Sequence, residues 1–216
     1  MSDFLKATLV EHMGSDKSVV NAARVSFGVT RDGDLNERDE RLIKFLARER
    51  HVTPFRHPQI TFRCKAPIAI ARQLNKHQVG FSWNEMSRRY KDGAVELFIP
   101  KEIFERPSDL HAGAGNLLTT GAQNSALVLI NRAYETALES YDELIKFIAP
   151  EQARFVLPQG MITEWVWTGS LYGWSELCRQ RLSDHAQYEV RVFASTVDEE
   201  LRKLFPISWD ALREAH

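Results

Sequence analysis

The sequence predicts an α+β fold: one helix-rich domain carrying a small mixed or antiparallel sheet. Three observations support this. The 216 residues suit one domain on the usual prior of about 150 residues per domain, and a chain of this size typically buries roughly 70% of its unfolded surface, so a core forms without disulfides or metals. Helical apolar periodicity outweighs period-two alternation, and the few strands are separated by helices, which does not suit a doubly wound sheet. No internal repeat or low-complexity tract breaks the chain into separate units.

The elements follow in order. "ATLVEHMG" reads as an opening strand, and "DKSVVNAARVSFG" as a helix starting at Ser15 or Asp16 and stopping at Gly28. "NERDERLIKFLARER" has Asn36 as N-cap and an apolar stripe of Leu42, Ile43, Phe45 and Leu46. In "PQITFRCKAP", Ile60, Phe62 and Cys64 alternate with Thr61, Arg63 and Lys65, the mark of a half-buried strand. "APIAIARQLNKHQ" begins a helix with Pro67 in its first turn, and the chain past Gly80 reads as loop. A long connection spans Pro100 to Gln123. Leu127, Ile130, Tyr134, Ala137, Tyr141, Leu144 and Ile148 then recur at spacings of three and four, predicting a long helix with one buried stripe that packs on helices of this chain or of another subunit. "GMITEWVWTGS" is a further strand, and "SLYGWSELCRQRL" and "AQYEVRVFASTVDEELRKLF" are helices.

Composition removes several function classes. A formal net charge of -1 and a pI of about 6.7 argue against a non-specific nucleic-acid binder, whose pI usually exceeds about 9. The two cysteines, Cys64 and Cys178, are far apart and lack metal-ligand spacing, which fits reduced thiols in a cytoplasmic protein. No signal peptide opens the chain, and no apolar run approaches the ~18 residues of a membrane helix, so a soluble intracellular protein is expected. Walker A, G-x-G-x-x-G, H-E-x-x-H and G-x-S-x-G patterns are all missing. His185 and Glu189 could share a helix face, but no third or fourth ligand accompanies them, so no metal is expected.

Against that background "RQLNKHQVGFSWNEMSRRY" stands out. Five Lys or Arg fall from Arg72 to Lys91, with Glu85 and Asn, Gln and Ser side chains among them. Hydroxyls, free N–H groups and guanidinium forks in a turn are the donors that hold phosphate oxygens. "CRQRLSDHAQYE" gathers Arg179, Arg181, Asp184, His185 and Gln187 at a junction of two helices, and "HVTPFRHP" crowds His51, Thr53, Arg56 and His57 into a turn pinned by two prolines.

Taken together, these blocks resemble the flavin-dependent thymidylate synthase family. Its pattern is Arg-His-Arg, two residues, Ser, one, Asn, two, Ser, one, Arg. The chain offers "KHQ" at Lys76 to Gln78, three residues instead of two, then Ser82, Asn84, Ser87 and Arg89 in register. "AARVSFG", "TPFRH", "KAPIAIARQ", "ELFIP", "ARFVLP" and "RLSDHAQYE" resemble further family blocks in the same order. Lys76 and Gln78 depart from the two arginines that flank the motif histidine. A lysine still neutralises phosphate as a point charge, whereas a glutamine cannot, and neither reproduces the planar fork.

The resemblance implies a single catalytic domain over residues 1–216 that methylates dUMP to dTMP. Methylenetetrahydrofolate would donate the carbon, FAD the hydride, and NADPH would reduce the flavin. It implies Arg181 as the catalytic residue at the uracil, with Gln73, Glu85, Ser87, Arg89 and Arg154 completing the dUMP site. Ser26, Thr53, Lys76, His77, Gln78, Glu85 and His185 would line the flavin, and His51 would lie on the folate side. Glu176 falls where the family uses an Asn near the flavin, so no role is carried to it. The family's homotetramer, with active sites between subunits, is implied as well, and neither nucleic acid nor membrane is expected as partner. Two other readings stay open from the residues: a nucleotide- or RNA-binding module with Trp83 and Tyr90 as stacking platforms, and a flavin-binding homologue without synthase activity.

Overall fold

The computed structural model describes residues 3–90, 93–108 and 114–215. Lys91, the last cation of the basic stretch, and residues 109–113 of the long connection therefore lie outside the described residues.

The architecture is α+β, with one four-stranded sheet in the order β1-β2-β4-β3. Strands β1 (Lys6–Met13), β2 (Gln59–Pro67), β4 (Ile162–Ser170) and β3 (Phe81–Glu85) pair antiparallel throughout. Strands β2 and β4 form its centre because both carry large apolar side chains on one face: Ile60, Phe62 and Cys64 opposite Trp165 and Trp167, all buried. At the edge, Trp83 of β3 stacks on Trp165 with ring centroids 4.4 Å apart. Phe81 crosses Gly169 so closely that a Cβ there would meet its ring at 2.2 Å, so the edge strand docks only because position 169 has no side chain.

The helices cover this face. Helix α1 (Asp16–Arg24) and α2 (Glu37–Arg48) bury Val19, Val20, Ile43 and Leu46, and Asn36 caps α2 as expected, accepting from the Arg38 and Asp39 N–H groups at 3.0 and 3.2 Å. Short α3 (Ile68–Leu74) leaves the end of β2; α4 (Thr120–Leu144) and α5 (Pro150–Ala153) precede β4; α6 (Leu171–Arg181) and α7 (Tyr188–Leu204) follow it. Helix α7 packs against β1 and α6, bringing Phe193 and Val197 into the core.

Several expectations need correction. The chain past Gly80 is not loop: Phe81 and Trp83 point inward and Ser82 and Asn84 outward, so residues 81–85 form an edge strand. Helix α3 ends at Leu74, so Lys76, His77 and Gln78 lie beyond it rather than on it, and Pro67 closes β2 instead of sitting inside the helix. The chain also ends in an unforeseen helix, α8 (Pro206–Glu214). Its first-turn N–H groups receive no local side-chain cap. Asp16 supplies one from the far end of the sequence, accepting from Ile207 N at 3.1 Å and Ser208 N at 2.9 Å. A carboxylate there satisfies orphan donors and complements the helix dipole.

Helix α4 starts before the predicted stripe and ends four residues short of Ile148. Of that stripe only Tyr141 is fully buried; the remaining positions are half-covered, and the neighbouring Val128 and Leu129 are each 66% exposed. The described residues of one chain thus cover the seam only in part.

Candidate active site

A cleft of about 660 Å³ opens where the turn after α3 meets α6, and Arg56, Lys76, His77, Gln78, Glu176 and Arg181 are among its lining residues. Helix α6 places Arg181 in its last turn, facing the turn that carries His77. Arg181 Nε donates to His77 Nε2 at 2.8 Å. Burial, and secondarily the Arg181 charge, push the His77 imidazole down to a pKa of about 4, so it is neutral at pH 7. As acceptor at Nε2, the neutral ring carries its proton on Nδ1. Burial also lowers the pKa of Arg181, but a guanidinium stays charged in proteins. The pair therefore presents one fixed positive charge to the cleft.

This contact has a pH signature. As pH falls from about 6.5 toward about 4, unfolded chains protonate His77 before folded ones do, so stability is expected to decrease across that window. Denaturant titrations at pH 7, 5.5 and 4.5 on the wild type and on His77→Gln check this. The variant should show the shallower decline, and identical slopes would remove His77 as a cause.

A second cleft, of about 360 Å³, lies under the C-terminal end of β3 and includes Arg72, Glu85, Arg88, Arg154 and Thr163. Glu85 is held from two sides, accepting from Thr163 Oγ1 at 2.7 Å and from Trp83 Nε1 at 3.3 Å. Beyond it a turn carries Ser87, whose Oγ accepts from Arg89 N at 3.3 Å, and Arg89 pairs with Glu151 at 3.1 Å. Elsewhere, the Gln73 Oε1 atom is buried with no hydrogen-bond partner among the described residues, an acceptor waiting for a donor.

Sequence reasoning singled out Arg89 and passed over Arg88. Arg88 is only 6% exposed and donates to the Gly93 and Ala94 carbonyls, both at 2.9 Å. It thereby closes the turn that carries Ser87 and Arg89. Its side-chain position was not legible because burial of one of two adjacent arginines follows from the turn, not from local pattern. Replacing it with Met should cost about 2–3 kcal/mol, the value of charge-assisted hydrogen bonds lost from a buried site. A thermal melt checks this, and an unchanged melting temperature would show that the turn closes without it.

The other expected site residues stand elsewhere. Ser26 lies in a single turn, Val25–Phe27, between two exposed apolar side chains, with Phe27 82% exposed. Behind it, the buried Asp39 carboxylate pairs with Arg24 at 2.6 Å and Arg31 at 3.2 Å, gripping both ends of the segment. Thr53 opens the Thr53–Arg56 turn, His51 packs edge-on to Phe45, and both are exposed. His185 is exposed in the turn before α7, off the helix that was to align it with Glu189. Among the described residues no group of His, Cys, Asp or Glu could hold a metal ion. Nor is any helix there long and apolar enough to cross a membrane. On one chain, then, Lys76, His77, Gln78 and Arg181 share the first cleft, and Glu85 and Arg154 the second.

One face of the half-buried Trp83 ring is taken by its stack on Trp165, whereas Tyr90 is 82% exposed. The cysteines are committed to the core. Both are fully buried, and burial raises the thiol pKa of each well above its ordinary value. A thiol nucleophile needs the opposite shift and access.

Known proteins resemble this chain over nearly its whole length. The family described as "Thymidylate synthase complementing protein" matches residues 8–207. A flavin-dependent thymidylate synthase of Ehrlichia ruminantium is 37% identical over 95% of this chain and 69% of its own length. That of Pseudothermotoga lettingae is 35% identical over 94% of this chain and 87% of its own. Among solved structures, a UMP/dUMP methylase PolB from Streptomyces cacaoi, bound with 5-Br dUMP, superimposes with a TM-score of 0.86 at 29% identity, covering 97% of this chain and 94% of that one. With its fold, its blocks in order and these relatives in agreement, this chain belongs to the thymidylate synthase complementing protein family.

Proposed function

We propose that the chain is a flavin-dependent thymidylate synthase that methylates dUMP to dTMP without a cysteine nucleophile. The observation that carries this reading is the Arg181–His77 pair in a cleft, in a protein whose two thiols are both sealed in the core. With no thiolate to attack the uracil ring, activation falls to fixed charge. The Arg181 guanidinium favours the pyrimidine with N3 ionised and negative charge spread over its carbonyls, and preorganised charge of this kind acts without reorganisation during the reaction.

The residues present fit both ligands. Arg56, Lys76 and Arg181 offer positive charge to a phosphate-bearing ligand in the first cleft, and Glu85 and Arg154 offer a carboxylate and a cation in the second. Ser87 and Arg89 hold the dUMP phosphate. Lys76, His77 and Gln78 face the flavin, with Ser26, Thr53, Glu85 and His185 around it and His51 toward the folate. When bound, FAD reduced by NADPH supplies the hydride that completes the methyl group, whose carbon comes from methylenetetrahydrofolate. The protein's own part is to orient dUMP, hold its ring anion, and keep His77 neutral so that Arg181 keeps its charge and aim.

Active sites shared between subunits of a homotetramer join the two half-sets of residues. The partly uncovered seam of α4 and the exposed Phe27, Phe147 and Phe155 support assembly. The function is tested by the visible spectrum of the protein with FAD and then dUMP, alongside chromatographic assay of dTMP. A flavin spectrum perturbed by dUMP together with dTMP formation is expected. Flavin binding without dTMP would favour the non-synthase homologue, and oligonucleotide binding without flavin the binding module.

The absence of a usable thiol gives a separate expectation. A Cys64→Ala, Cys178→Ala double variant should retain turnover within about threefold once corrected for folded fraction, since burial disfavours the thiolate of both and removes their access to substrate. Loss of all turnover from a folded double variant would restore cysteine catalysis.

A further inference from the structure

The first cleft holds cations that form no ion pair among the described residues. Many arginines and lysines of the described surface are paired with acids, among them Arg63 with Glu164, Lys65 with Glu96, Arg89 with Glu151 and Arg202 with Asp198. Arg56 and Lys76 form no ion pair with any described residue, though both line the same cleft as Arg181. The acid among the lining residues, Glu176, is held by Arg179 at 2.8 Å. Uncompensated charges gathered in one concavity raise the local concentration of anions.

Arg56 is also built to stay in place. It ends the Thr53–Arg56 turn, and its carbonyl accepts from Gln59 Nε2 at 2.8 Å. Its guanidinium lies over the Tyr172 ring, 5.5 Å from the centroid, which leaves the planar edge of donors free. Opposite, the turn through Gln78, Val79 and Gly80 lines the cleft, and among the described residues none of its three main-chain N–H groups has an acceptor. Gly80 has φ +77, the left-handed conformation that lets successive N–H groups converge.

We propose that Arg56 and Lys76, with the N–H groups of this turn, form a phosphate clamp. Arg56 contributes the planar fork that Lys76 and Gln78 lack, gripping the phosphate oxygens of the ligand in the first cleft. The chemistry is that of a phosphate ester, and two sources share it: the diphosphate of the flavin dinucleotide, and the 5′-phosphate of the nucleotide, whose place here would replace its assignment to Ser87 and Arg89. The clamp rests on the function proposed above only for the identity of that ligand.

The test titrates FAD, riboflavin, dUMP and deoxyuridine into the 216-residue chain and into Arg56→Gln, Lys76→Gln and the double variant, by flavin absorbance and calorimetry. Arg56 is exposed, so its replacement should not disturb folding, which circular dichroism verifies. Arg56→Gln should weaken one phosphorylated ligand by about 10- to 100-fold, the loss expected for one charge-assisted contact, and leave its phosphate-free counterpart unchanged. The double variant should lose more, and added KCl should narrow the difference. Loss confined to FAD assigns the clamp to the flavin diphosphate; loss confined to dUMP assigns it to the nucleotide. Equal weakening of riboflavin and FAD, or of deoxyuridine and dUMP, overturns the clamp, as do variants that bind every ligand like the wild type. A wild type that binds dUMP through Arg56 but no flavin overturns the flavin reading and leaves the clamp standing. A wild type that binds neither FAD nor dUMP overturns both.

Discussion

Replacing Arg181 by alanine is expected to lower dTMP formation by about 100- to 1,000-fold, the cost of losing one preorganised charge where negative charge develops. Arg181 ends α6 with its Nε fixed on a neutral imidazole, so the charge is aimed before substrate arrives. Single-turnover assays of dTMP, run beside a thermal melt, separate chemistry from folding. The melt should move little, because the side chain is only partly buried and makes one hydrogen bond among the described residues. Arg181→Lys should recover a minor part of the rate, since a point charge cannot reproduce both the bond to His77 and the fork toward the ring. Normal turnover in Arg181→Ala would transfer the catalytic role to another cation.

The largest effect on stability is expected at Asp39. Its carboxylate is fully buried, accepts from Asn36 N at 3.0 Å, and pairs with both Arg24 and Arg31. Asp39→Ala leaves two guanidinium groups without their anion and α2 without part of its capping box. Breaking a buried charge cluster from one side costs about 3–5 kcal/mol, and the partial exposure of the two arginines places the expected loss at the lower end. Urea unfolding measures it. Because Arg31 and Arg24 bracket the turn carrying Ser26, hydrogen exchange in residues 25–31 should rise in the variant even under conditions where the rest stays folded. A stability change below about 1 kcal/mol, the median scale of surface pairs, would show that solvent replaces the carboxylate.

Much of the fold was legible because the responsible forces are local. Alternation in "QITFRC" and "ITEWVW", the Asn36 cap and the seam of α7 depend on residues within one or two turns of each other. Period-two placement of Phe81 and Trp83 was also available, but Ser82 and Asn84 between them resembled a polar turn. Strand β3 exists because Trp165 and Gly169 of β4 give those rings a surface to cover. Helix α8 was hidden for a similar reason, since its cap is Asp16, at the other end of the chain.

By itself the sequence determined the α+β class, the blocks that mark the family, the basic character of residues 72–91 and the lack of a reactive cysteine motif. Those properties are carried by residue types and short spacings. Tertiary structure alone decided that Arg181 meets His77, that Arg88 is a buried brace while Arg89 stays outside, that Arg56 joins Lys76 at one cleft, and that both thiols are sealed. Each of these depends on residues distant in sequence or on which side of a turn faces the core, and burial and charge pairing are properties of that assembled surface rather than of the local pattern.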